Sequence, residues 1–80
     1  MNPEKFLNPE VQSKVRRLMH IIMIEENLMV KDVIDTSELG YNSVHKFLQQ
    51  EKDVGIIAMR KFLHFVIQRS QYKLEDIIGK

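Results

Sequence analysis

Between Val11 and Ile24 apolar side chains return every three or four residues, and the same spacing recurs from Ile56 to Ile67. Alternation with a period of two is almost absent, and the chain holds only two Pro and three Gly. A repeat near 3.6 gathers apolar groups on one side of a helix, so the pattern predicts an all-α fold. Start and stop signals divide it. Asn8-Pro9-Glu10 joins a capping side chain, a proline suited to the first turn and an acid at the positive end of the dipole. A first helix is expected from there to about Glu26, with Val11, Val15, Leu18 or Met19, and Ile22 on one face and Asn27 as its stop. Lys31 to about Thr36 reads as a short second helix, broken at Ser37–Gly40. A third runs from about Tyr41 to Gln50, with Val44, Phe47 and Leu48 inward. Asp53 is expected to cap a fourth, from Val54 to about Arg69, whose apolar residues include Ile57, Phe62, Phe65 and Val66. A short fifth spans about Lys73 to Ile78 and ends at Gly79. Asn2-Pro3-Glu4 repeats the first cap, but too little follows it for a helix. Residues 1–8 then form an N-terminal arm on a single domain covering 1–80, with Phe6 and Leu7 folded back onto the body.

Eighty residues allow only a small core, and at 44% apolar and 29% charged residues the chain has the material to fold alone and stay in solution. With no Cys it has no disulfide, thiolate metal site or thiol nucleophile. The N-terminus lacks the basic-then-apolar order of a signal peptide, and every apolar run falls far short of the ~20 residues of a membrane span. The expectation is a soluble cytoplasmic protein without a membrane partner.

The chemistry-bearing residues do not converge on catalysis. His20, His45 and His64 fall on three different helices, none with a ligand partner at metal spacing, whereas zinc needs three or four convergent groups. His20 and His64 lie inside apolar runs and read as core or interface histidines. Glu25-Glu26 and Glu75-Asp76 are adjacent pairs, which point in different directions on a helix. No glycine-rich phosphate loop is present. Neither an enzyme, a metal nor a small-molecule cofactor is expected.

The pair of short helices is the stronger signal. Residues 28–47 give a helix, a break of three to four residues and a second helix, with Val33, Ile34, Leu39, Val44 and Phe47 at apolar positions. A helix-turn-helix needs this layout: apolar groups at the crossing, one in the turn and two anchoring the second helix. The remaining face of that helix carries Tyr41, Asn42, Ser43, His45, Lys46 and Gln49. Such groups donate to phosphates or to base edges, Asn or Gln to adenine and Lys to guanine or phosphate. They equally suit the solvated face of any surface helix, and spacing alone does not separate the two. Charge adds a hint: residues 42–73 carry +4 and residues 1–41 carry −2, within a net +1.

The chain resembles the Xre/lambda-repressor-like helix-turn-helix family in its five-helix form. Asn27-Leu28 to Phe47 follow, without a gap, that family's run of Gly-Leu-Thr-Gln-Glu-Glu-Leu-Ala, Gly-Val-Ser and Thr-Ile-Ser-Arg-Ile. Leu28, Val33, Leu39, Val44 and Phe47 fall on its apolar positions, and Ser43-Val44-His45-Lys46 on its Thr-Ile-Ser-Arg. Tyr72 to Ile78 resemble its closing Val-Ser-Leu-Asp-Glu-Leu-Leu. The departures are specific. Val30 stands where the family has a phosphate-contacting Gln, Met29 replaces the capping Ser or Thr, Ile34 a small Ala, and Glu38 the turn glycine. Gly40 would suit a rival register with a turn two residues longer. The resemblance implies a compact five-helix lambda-repressor-like domain and a small sequence-specific transcriptional regulator that binds double-stranded DNA. The helix near 41–50 would then lie in the major groove. Asn42, Ser43, His45 and Lys46 would stand nearest the bases, with Tyr41, Gln49, Lys31 and Lys52 nearer the phosphates.

The first and fourth helices are apolar beyond one face. Leu18, Ile21, Met23 and Ile24 on the first, and Ile56, Met59, Leu63 and Ile67 on the fourth, exceed what one small core takes up. A helix apolar on all sides is usually buried on all sides. Leu18, Ile21, Met23, Ile24, Met59 and Leu63 are therefore expected at an interface, in a homodimer or with another regulatory protein, unless Phe6, Leu7 and the last helix cover them. A protein-interaction module such as an antirepressor or adaptor, on the same scaffold, is the alternative function.

Overall fold

The structure, a computed structural model, describes residues 7–37 and 39–79. In chain order its helices are α1 (Pro9–Glu26), α2 (Val30–Ser37), α3 (Tyr41–Leu48), α4 (Ile56–Arg69) and α5 (Leu74–Ile78), with no strand among the described residues. The all-helical expectation holds, and each helix lies within two residues of where the signals put it.

The ends of α1 show why. The Glu10 N–H donates to Asn8 Oδ1 at 2.8 Å, and Pro9 fills the first turn. At the far end Asn27 takes the left-handed conformation, with φ 55° and ψ 47°. The Leu28 N–H then reaches back to Met23 O at 2.8 Å and the Asn27 N–H to Ile24 O at 3.3 Å. These two bonds satisfy carbonyls the helix would otherwise orphan, and Asn tolerates that backbone better than most residues. α2 starts on Met29 without a hydroxyl cap. Asp32 compensates by turning Oδ2 onto the Met29 N–H at 2.7 Å, one half of a capping box.

α1 packs along α4 and also meets α3 and α5, while α2 joins α3 to α4. Val15 and Met19 (α1), Val33 (α2), Val44 and Phe47 (α3), and Met59, Phe62 and Val66 (α4) are all fully buried, and Ile77 of α5 closes one end. The rings of Phe47 and Phe62 stack with centroids 4.6 Å apart, within the range where aromatic pairs add to simple burial. Lys14 Nζ donates to Asp76 O at 2.9 Å, tying α5 to α1.

Several expectations are corrected. α4 begins at Ile56 rather than Val54, and Asp53 does not cap it. The Val54 N–H donates to Gln12 Oε1 at 2.8 Å, and Val54 O accepts from Gln12 Nε2 at 3.0 Å. Both backbone groups of Val54 are thus paired with Gln12, and the helical ladder starts one residue later, with Gly55 O accepting from the Met59 N–H at 3.0 Å. Met23, Met59 and Leu63, expected at an interface, are core residues at 9%, 0% and 2% exposure. Met59, Phe62, Leu63 and Val66 repeat at i, i+3, i+4 and i+7, and this stripe is the one α4 buries. Ile57, expected inward, falls off the stripe and is largely exposed. Leu7 is exposed rather than folded back, and Phe6 lies outside the described residues. His64 faces solvent and His20 is half-buried. No described helix is long and apolar enough to cross a membrane.

Candidate nucleic-acid interface

α3 is only eight residues long, and its fixed position comes from how its C-terminal end is held. The last four carbonyls of any helix lack intrahelical donors. Here each finds one. The Gln49 N–H donates to His45 O at 2.7 Å and the Lys52 N–H to Lys46 O at 3.0 Å. The other two donors come from α1. Arg16 Nε donates to Phe47 O, and His20 Nε2 lies 3.0 Å from Leu48 O. A carbonyl only accepts, so His20 carries its proton on Nε2 there. The Arg16 guanidinium also lies 4.6 Å over the Phe47 ring and 3.5 Å from Asp53 Oδ1. Its positive charge sits at the negative end of the α3 dipole. Gln12, Arg16 and His20 follow one another at intervals of four, so they form a single polar row along α1, turned toward α3 and the segment after it.

The chain turns away from α3 at Glu51, whose φ is 54°. The third helix thus ends at Leu48 rather than Gln50, and Gln49 lies just past it. α2 ends at Ser37 and α3 begins at Tyr41, a break of three residues. This is the spacing of the shorter register. Gly40 caps α3 with an ordinary extended backbone (φ −70°), so it does not mark a longer left-handed turn. Leu39, in the break, packs partly buried against the core.

With Val44, Phe47 and Leu48 inward, about 100° of rotation per residue turns Asn42, Lys46 and Gln49 to the opposite side. All three are exposed. Tyr41, 58% exposed, stacks on His45 with centroids 5.2 Å apart and an interplanar angle of 19°. This pair forms one edge of the exposed face, and half-buried Ser43 forms the other. Lys52 is exposed, and its backbone bond to Lys46 O keeps it by the end of α3. The structure therefore brings seven of the eight expected residues onto or beside α3. Lys31 is set apart on the first turn of α2, next to the Asp32 carboxylate that caps that helix.

α3 itself contains no acidic residue. Of the basic excess after residue 41, Arg69 is bound to Glu26 at 2.6 Å and lies 4.9 Å over Phe65. Lys46 and Lys52 are the cations of that excess beside the face. Arg16 and His20, which hold α3, and Gln12, which holds the loop after it, are not singled out as a group by the sequence, since α1 also carries Glu10, Ser13, Lys14, Arg17, Glu25 and Glu26. Their spacing of four is the available signal. No protein-family model, curated protein or solved structure matches the chain, so the reading of this face rests on its own geometry.

Proposed function

We propose that the chain is a small sequence-specific DNA-binding transcriptional regulator, with α2 and α3 acting as a helix-turn-helix of the lambda-repressor-like kind. The observation that carries this reading is the exposed face of α3: Asn42, Lys46 and Gln49 together, no acid on the helix, and the final two carbonyls held by side chains of α1. An α-helix with its side chains is about 10–12 Å across, which suits a major groove about 12 Å wide. Asn42 and Gln49 have the donor and acceptor pair that matches the N6 and N7 edge of adenine. Lys46 suits guanine or a phosphate, and Lys52 and Lys31 suit phosphates. Because the start of α2 carries Asp32 and no Gln, phosphate contact falls to these lysines.

Polarisation titration against a library of genomic fragments at low and moderate salt tests the reading. Binding that weakens steeply with salt is expected. Asn42→Ala should cost about 1–3 kcal/mol at one base position and relax the preference there. Absence of binding even at low salt rejects the proposal.

A second reading has its own observation. Ile21 and Ile24 on α1 stand 44% and 81% exposed, with Leu18 half-buried beside them. A protein-interaction module would use this apolar surface rather than α3. In that case the double variant Asn42→Ala, Lys46→Ala keeps its activity and Ile21→Glu loses it, and the reverse outcome supports DNA binding.

A further inference from the structure

The outer edge of α1 runs Lys14, Arg17, Ile21, Ile24 and Glu25, all exposed. Steps of three and four residues keep them on one side of the helix. Their charge is ordered along the axis: basic at 14 and 17, apolar at 21 and 24, acidic at 25. Glu26, the next acid, is taken by Arg69, and Lys14 Nζ already donates to Asp76 O. Arg17 and Glu25 are thus the α1 charges that flank Ile21 and Ile24 on this edge; Glu10 continues it two turns before Arg17, and Glu51 borders it beside Ile24.

From this order we infer that the edge docks a second copy of the chain, α1 against α1, running antiparallel. A two-fold interface uses one patch on both subunits, so the patch must complement itself when reversed. This one does. Turned about an axis beside Ile21 and Ile24, the copy sets isoleucine on isoleucine and brings each Arg17 within a turn of Glu25 on the other chain. A parallel copy would instead set Arg17 against Arg17 and Glu25 against Glu25.

The relief of the surface agrees. Ile21 is a ridge between two grooves, one of about 780 Å³ bounded by Leu18, Glu25 and Tyr72, the other of about 400 Å³ bounded by His20, Ile24 and Glu51. Helices associate by seating ridges in grooves of this kind. Docking buries the two most exposed apolar groups of α1 while leaving α3 to its own ligand. It stands apart from the DNA reading, because its test needs protein alone.

Sedimentation equilibrium of the whole chain, from about 1 µM to about 500 µM, spans the affinities of a small interface. The mass of the unaltered protein should rise from 9.5 kDa toward twice that value. Ile24→Glu should stay at 9.5 kDa with its helical circular dichroism intact, since that side chain is 81% exposed and supports no core contact. Arg17→Glu and Glu25→Arg should each weaken the dimer about tenfold, and combining them should restore it. A monomer at every concentration overturns the inference. So does a dimer that survives Ile24→Glu, and so does a double reversal no tighter than either single change.

Discussion

Gln12 is almost wholly buried, yet neither of its polar atoms is unsatisfied, because Val54 supplies both an acceptor and a donor. Removing its amide leaves two backbone groups without partners in a partly buried loop. Gln12→Ala should therefore lower stability by about 1–3 kcal/mol, read as a fall in the urea midpoint at unchanged slope. Arg16 joins three tasks in one side chain: a donor to Phe47 O, a partner for Asp53 and a cation over the Phe47 ring. Arg16→Met keeps the apolar stem and loses all three, with an expected cost of about 1–3 kcal/mol by the same titration. Lysine is not a conservative replacement here, since its single ammonium cannot reproduce the planar fork. Neither role was legible in sequence. The partners of Gln12 and Arg16 lie 42 and 31 residues away, beyond the reach of any local pattern. Asp53 was misread for the same reason: a nearby cap was expected, and a distant arginine took its carboxylate.

Helix ends and helix faces differ in how much neighbouring residues reveal. The ends of α1 were plain in advance because Asn8, Pro9 and Asn27 act within a turn of themselves. Asn27→Val should cost about 1–2 kcal/mol in thermal or urea denaturation, since a β-branched residue is strained at that left-handed backbone. α3 offers the opposite opportunity. Gly40 has no capping side chain, an ordinary φ, and open space where a Cβ would stand. Gly40→Ser should raise stability by about 0.5–1 kcal/mol by adding a cap and restricting the unfolded chain. The inward face of α4 is marked by its polar residues rather than its apolar ones: Arg60, Lys61, His64 and Gln68 share a stripe about 100° wide, Ile57 falls within that stripe, and Met59, Phe62, Leu63 and Val66 lie opposite it. α3 was readable because its two faces differ in chemistry. Of the polar set expected there, Tyr41, Asn42, Lys46 and Gln49 are exposed and Ser43 and His45 are half-buried, while half of the expected interface residues lie in the core.

At the scale of the whole molecule, the modest net charge of +1 hides an arrangement in which several cations serve the fold. Arg16 holds α3, Lys14 holds α5 and Arg69 holds Glu26. Lys46 and Lys52 are the cations placed beside the exposed face of α3, and each should show in the salt dependence of binding. Lys46→Ala with Lys52→Ala should flatten the slope of log affinity against log salt by about two and weaken all sequences alike. A measurement that left the slope unchanged would place the phosphates elsewhere. The row Gln12, Arg16 and His20 has one more consequence. Where a helix stops is ordinarily written in its own last turn. The final two carbonyls of α3 are instead held by side chains of α1, and the loop beyond is pinned by a third. The length of the outward-facing helix is thus encoded some thirty residues upstream. A change of its reach, in a laboratory or over generations, would have to begin with substitutions in α1.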